Sequence, residues 1–354
     1  MSRVKIDTIT AVHIGNGNTL KYNNDFVVSD DYIYIIDPSK ILELIGTAEL
    51  DSWLAVIERG KSQAEYVKNK TEALPSKYSK RKLEKFCEEI FHRDTLKETI
   101  HNGMGLPYIP GSSIKGAIRT ALLATLLNKR TGLENKIKNE RGNVTSSILE
   151  GELFGANPQT DIFKNLQVGD AYFEKGSEVA MRMIKGLNIT HSDNLQPDKI
   201  ENQQIVEAIN QDSKSELRMK LASKPGMPEE MQSLNTLFSC VNNHTKQLLQ
   251  SEIAFWEAQS EEKDGAEVYI ETIDGILSMA EKCNANECIL RVGHASGWRF
   301  TTGAWAENLK NFEDVVVNAS RRNNYNYKEY PFPKSRRIDE EGFLLGFVKL
   351  TIEE

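Results

Sequence analysis

Two cations stand four residues apart at the start of an apolar helical repeat, in Leu106-Pro-Tyr-Ile-Pro-Gly-Ser-Ser-Ile-Lys-Gly-Ala-Ile-Arg-Thr-Ala-Leu122. Pro110-Gly111 is turn chemistry, and Ser112 or Ser113 can cap the first free backbone N–H groups. Ile114, Ala117, Ile118, Ala121, Leu122, Thr125 and Leu126 then recur at helical spacing and predict one buried face. Lys115 and Arg119 share a different face and repel each other. They also lie near the positive end of the helix dipole, which costs roughly 0.3–1 kcal/mol each. A bound anion would reverse both penalties, and helix N-termini are ready phosphate sites. The plain alternative is a solvated Lys/Arg pair on an ordinary amphipathic helix.

A second cluster is Arg291-Val-Gly-His-Ala-Ser-Gly-Trp-Arg-Phe-Thr-Thr-Gly303. Gly293 and Gly297 let backbone N–H groups approach an anion, and Arg291 and Arg299 supply charge. Trp298 and Phe300 offer faces on which bases stack, a pattern suited to single-stranded RNA. The alternative is a strand-loop-helix turn with Trp298 anchored in the core, and core is the more common use of such a tryptophan than a stacking platform. Pro331-Phe-Pro-Lys-Ser-Arg-Arg337 adds Lys334, Arg336 and Arg337, cations able to track phosphates. Near the amino terminus, His13-Ile-Gly-Asn-Gly17 is a glycine-rich turn after a strand. His13 could act there as a general base, joined by Asp25 or Asp37, but a histidine at a strand end is more often structural. Neither a P-loop nor a nucleophile elbow is present. Cys240 and His244 lie one helical turn apart, with Cys283 and Cys288 downstream. Zinc would use these four, although their spacing is looser than finger patterns and free cysteines are usually buried hydrophobes.

These residues need a scaffold, and the composition supplies one. The chain has 354 residues, 39% hydrophobic and 27% charged, enough for two ordinary domains. Its net charge of −7 argues against a generic nucleic-acid coat. From Asn318 to Arg337, however, six cations face one anion, so basic charge is concentrated locally. Four cysteines without framework spacing, no long apolar run and no signal-like start predict a cytoplasmic protein. Strands are predicted near 4–14, 26–28, 32–36, 166–173, 179–184, 289–292 and 343–352. Helices are expected from Pro38, through much of 60–100, over 112–128 and across 197–282. Their irregular interleaving favours an α+β architecture. The expected division is an N-terminal domain over 1–190, with a helical insertion near 50–100. A C-terminal domain over 191–354 would carry the 197–282 helices and the second glycine loop.

Taken together, Thr10-Ala-Val-His-Ile-Gly-Asn-Gly17, Tyr108-to-Arg119, Leu153-Phe-Gly155 with Val168-Gly-Asp-Ala171, Leu290-to-Trp298, Phe332-to-Arg337 and Leu345-Gly-Phe-Val-Lys-Leu350 resemble the RAMP superfamily of CRISPR effector subunits. Their order is most similar to the fifth-subunit family of the type III-A Csm complex. The resemblance implies two RRM-like, ferredoxin-like domains and no cofactor. It further implies a non-catalytic subunit that binds the 3′ portion of crRNA, caps a filament of backbone RAMP subunits and supports crRNA maturation. Its partners would be crRNA, target RNA, other Csm subunits and trimming nucleases, without a membrane. Carried onto this chain, His13, Gly15, Gly17, Gly111, Ser112, Ser113, Lys115, Arg119, Arg291, Gly293, His294, Ser296, Gly297, Trp298 and Arg299 would line the RNA path, supported by Lys334, Arg336 and Arg337. His294-Ala295 departs from the family pattern, which has an aromatic and a glycine there. Asn24-Asp-Phe26 only faintly matches the cleaving loop of backbone subunits, so cleavage is not assigned. The remaining alternatives are another RAMP subunit of a type III complex and a metal-independent RAMP endonuclease using His13.

Overall fold

The computed structural model describes residues 1–29, 31–86, 90, 94–137, 145–174, 179–190, 194–196, 203–260, 263–320 and 332–353. In chain order, β1 (Ser2–Thr8), β2 (Gly15–Lys21), β3 (Phe26–Ser29) and β4 (Tyr32–Ile36) lead into α1 (Pro38–Ile45), α2 (Leu50–Glu58) and α3 (Gln63–Thr71). Strands β5 (Ser79–Lys85), β6 (Thr95–Thr99) and β7 (Tyr108–Ile109) precede α4 (Gly111–Asn128) and α5 (Ser147–Phe154). There follow β8 (Leu166–Val168), β9 (Ala171–Tyr172), β10 (Val179–Asn188), β11 (Gln203–Ile209) and β12 (Lys214–Leu221). The long helix α6 (Leu234–Ser260) and α7 (Glu267–Glu281) lead to β13 (Glu287–Arg291), α8 (Gly297–Thr302), α9 (Phe312–Ser320), β14 (Ser335–Ile338) and β15 (Phe347–Ile352).

The first sheet has five strands in the order β13-β15-β1-β12-β8, with every neighbouring pair antiparallel. Read along the chain, β1, α4, β8, β12, α6 and β15 form the β-α-β-β-α-β arrangement of a ferredoxin-like unit, with β13 added at the edge beyond β15. Alternation builds it: Leu217 and Met219 are buried in β12 while Glu216, Arg218 and Lys220 are exposed. The buried face of α4, with Ile114, Ile118, Ala121 and Leu122, packs into the same core, as its spacing predicts.

The second sheet has eight strands, in the order β2-β6-β11-β10-β5-β4-β3 with β14 also on β10. Each sheet takes strands from both sides of residue 190. The architecture is α+β. Two sequence expectations are corrected. Among the described residues of 60–100, α3 and a short 3-10 turn at Pro75–Lys77 give way to β5 and β6, because Leu83 and Leu96 enter the sheet core. The segment expected to be helical from 197 opens its described part with β11 and β12. Ile205, Val206 and Ile209 are β-branched and buried, and Asp212, at a φ of 60°, turns the hairpin.

Candidate nucleic-acid interface

The start of α4 is already furnished with an anion from the protein. Gly111 N–H donates to Asp170 Oδ1 at 2.7 Å, so Asp170 rather than Ser112 or Ser113 caps the helix. Residue 111 must be glycine because a Cβ there would overlap the Val168 carbonyl oxygen. Lys115 Nζ donates to the Leu166 carbonyl at 2.8 Å. Arg119 Nη1 meets Asp161 at 2.9 Å and Nε meets Glu150 at 3.3 Å, with the guanidinium 4.7 Å from the Phe154 ring centre. The penalties of the two cations are therefore relieved within the chain, and neither reading of a bare phosphate site or a solvated pair describes them.

The glycine loops from opposite ends of the sequence do converge. The His13 carbonyl accepts the His294 N–H at 2.9 Å, and Gly293 takes a φ of +82°, where a Cβ would lie 2.5 Å from that oxygen. Gly346 N–H donates to Ala11 O at 2.9 Å and Gly346 O accepts from Val292 at 2.8 Å, tying in the strand that leads to β15. Ala295 adopts a φ of +70°, left-handed backbone that favours glycine.

Around this junction lies a small basic group. His13 Nδ1 is 2.6 Å from the Glu207 carbonyl, which can only accept, so Nδ1 carries the proton and Nε2 is the free lone pair. The His13 and His294 rings meet edge to face with centres 5.7 Å apart, and Arg337 Nη1 lies 3.4 Å from His294 Nε2. Burial, then Arg337, His13 and Lys97, push His294 down to about 4. Burial likewise lowers His13, against the Glu207 carbonyl and carboxylate, while Lys97 adds to the lowering. An incoming phosphate would meet Arg337 and Lys97 and would favour protonation of His294. Gly15 and Gly17 begin the exposed sheet-edge strand β2 beside His13, and Asn16 and Asn18 bond Glu98. Lys97 was not singled out by sequence because nothing but the fold brings β6 to this place.

Other predicted cations hold the framework. Arg291 is buried between Phe300 and Phe347, donating to Leu345 O at 2.7 Å and Ala295 O at 3.0 Å, and burial lowers it to about 9. Arg336 grips the buried Glu252 carboxylate at 2.6 and 2.9 Å, and Arg299 bonds the same carboxylate at 3.0 Å and Glu307 at 2.8 Å. Lys334 approaches Thr190 at 3.4 Å. Ser296 Oγ donates to Gly293 O at 2.8 Å, and Gly297, at a φ of +74°, opens α8. Trp298 packs on Phe332 and Phe312 with ring centres 5.0 and 6.1 Å away and lies partly buried against the core. Arg321, Arg322 and Lys328 of the basic run lie outside the described residues.

Cys240, His244, Cys283 and Cys288 do not assemble. Cys240 Sγ donates to Thr125, Cys288 is wholly buried and Cys283 half-buried. Among the described residues, the group close enough to share an ion is Glu98, His101 and Glu207, and Arg81 bonds both carboxylates at 2.8–3.0 Å. Asp25 accepts from Lys21 N–H at 2.8 Å and Asp37 caps α1 through Ser39 N–H at 3.0 Å, so both carboxylates serve local turns.

A ferredoxin-like sheet from which glycine loops project over a basic junction defines an α+β protein of RAMP type. A sequence model of the RAMP superfamily matches residues 5–298, and the chain belongs to that superfamily. It is 29% identical over 180 residues to the Methanocaldococcus jannaschii CRISPR system Cms protein Csm5, an alignment spanning 48% of this chain but only 42% of that relative. Among solved structures, a chain of the type III-A Csm–crRNA–target RNA ternary complex superposes with a TM-score of 0.72 and 19% identity, covering 100% of each chain. Csm5 of T. onnurineus superposes with a TM-score of 0.63 and 19% identity, covering 97% of this chain and 99% of that one. Among the described residues, no helix is long and apolar enough to cross a membrane.

Proposed function

We propose that this RAMP protein is a non-catalytic, RNA-binding subunit of a type III-A CRISPR Csm effector complex in the cytoplasm. In that role it binds the 3′ region of crRNA, caps the filament of backbone RAMP subunits and supports crRNA maturation by trimming nucleases, with target RNA pairing alongside. The observation that carries the reading is the junction of His13, His294 and Arg337, an anion-seeking spot on a chain of net charge −7. To the same RNA path this reading assigns Gly15, Gly17, Gly293, Ser296, Gly297, Trp298 and Lys334, with Gly111, Ser112, Ser113, Lys115 and Arg119 as the buttressed end of α4. Similarity to Csm5 and to a chain of a complex holding crRNA and target RNA supports the same role.

The endonuclease alternative needs His13 to reach a ribose hydroxyl, and His13 is only 2% exposed. Co-expression of the other Csm subunits with and without this chain tests the role. Trimmed crRNA and the end position of the filament should both depend on it. Complexes of unchanged composition and RNA length without the chain would overturn the proposal, as would His13-dependent cleavage of crRNA precursor in EDTA.

A further inference from the structure

Two residues that sequence assigned to separate RNA contacts, Arg119 and Trp298, line one cavity. It has a volume of about 350 Å³ and lies between α4, α8, α9 and the start of α5, with Thr120, Thr302, Trp305 and Asn318 also on its wall. That volume is at the small end of the range for ligand pockets. Two indoles give it flat apolar surfaces, and threonine hydroxyls, an amide and a guanidinium give it a polar edge.

The charge of the cavity selects the kind of occupant. Arg119 is held through Nε and Nη1 by Glu150 and Asp161, leaving Nη2 without a partner among the described residues. Glu150 also lines the cavity, so an anionic phosphate would meet a carboxylate beside the arginine. A neutral heteroaromatic ring meets no such repulsion and can stack on indole while hydrogen bonding to Nη2. Trp298 follows Gly297 at the start of the helix that the His294 loop feeds, so one chain segment contributes both to the cavity wall and to the basic junction.

We infer that the cavity receives one unstacked RNA base. The inference rests on the RNA-binding reading above and adds to it a site and a chemical class, a nucleobase rather than a phosphate. The test uses the full chain within its co-expressed complex and RNAs of crRNA 3′ sequence carrying 4-thiouridine, or one abasic nucleotide, at successive positions. Crosslinks should concentrate at one position and map to the Trp298 or Trp305 peptide. An abasic nucleotide at that position should weaken binding roughly 5- to 160-fold, the loss of one stacked base. Thr301→Trp, at an exposed helical position on the cavity wall, should erase both effects while the chain melts at the wild-type temperature. Trp298→Ala provides the complementary loss. Crosslinks confined to other peptides, or equal abasic effects in the wild type and Thr301→Trp, would overturn the pocket and leave RNA binding standing. Release of a neighbouring subunit by Thr301→Trp with RNA affinity intact would show a protein occupant and overturn it too. A complex in which this chain touches no RNA would overturn both readings.

Discussion

The carbonyl of His13 and the backbone N–H of His294 are 2.9 Å apart, so one hydrogen bond joins the two glycine loops that lie at opposite ends of the sequence. It fixes where both imidazoles stand and brings Arg337 alongside them. Its geometry depends on Gly293, whose backbone no side chain readily adopts.

Replacing Gly293 by alanine should therefore be costly. The left-handed backbone alone costs roughly 1–2 kcal/mol, and the added Cβ would press on the His13 carbonyl at 2.5 Å. Gly17→Ala is the control. Its φ is +91° with nothing within 4 Å of a Cβ, so only the backbone penalty remains. Thermal denaturation should rank Gly293→Ala clearly below Gly17→Ala, and equal melting temperatures would contradict the close approach.

Salt dependence separates cations that meet RNA from cations that hold the fold. Arg337→Ala should weaken RNA association and reduce the magnitude of the slope of log affinity against log salt by about 1. Lys115→Ala should leave that slope unchanged and instead lower stability by about 1.5–3 kcal/mol through loss of the bond to Leu166 O. Filter binding at several salt concentrations, with urea unfolding alongside, distinguishes the two. A flattened slope in Lys115→Ala would return that lysine to the RNA path.

The acid behaviour of His294 has a definite sign. Its pKa falls from 6.5 to about 4 through burial first and then Arg337, His13 and Lys97. The neutral ring thus contributes stability that is full above 6.5 and lost as pH falls through that window toward 4. Ring NMR should place the midpoint of the free chain near 4, with a rise in Arg337→Ala and a rise on RNA binding. A midpoint unmoved by saturating RNA would mean that no phosphate sits beside this ring.

Glu252 is the buried link between Arg299 and Arg336. Burial opposes its ionisation, yet the two guanidinium groups outweigh that effect and hold it below the usual carboxylate range. Glu252→Gln leaves two cations with no carboxylate between them and should cost on the order of 3–5 kcal/mol. Chemical denaturation checks this, and a loss under 1 kcal/mol would show that solvent already screens the cluster.

The sequence disclosed local periodicity better than long-range use. Ile114, Ile118, Ala121 and Leu122 announced α4 because a helix declares its buried face every third or fourth residue. The glycine clusters were legible as loops that must meet something close. Their meeting was not, since it depends on β1 and β13 lying on either side of β15. Lys115, Arg119, Arg291, Arg299 and Arg336 read as available charge because their partners, a carbonyl here and Glu252 or Asp161 there, come from distant segments. Glu252 carries no local signal at all, because its partners Arg299 and Arg336 lie 47 and 84 residues further along the chain. The alternation of Leu217, Met219 and Leu221 marks β12, but the run is short and made mostly of Glu, Leu, Arg, Met and Lys, all good helix formers, which hides it inside an expected helical stretch.

The place of β15 also sets a timetable for synthesis. Residues 347–352 slot between residues 2–8 and 287–291, so the middle of the first sheet stays open until almost the last described residue has left the ribosome. The strand made first must wait for one made about 340 residues later. Such non-local pairing is slow to form. The same late strand positions Gly346 against Ala11 and Val292, so the basic junction takes shape only once the rest of the chain exists. The Gly346 contacts of the junction therefore close together with the middle of the first sheet.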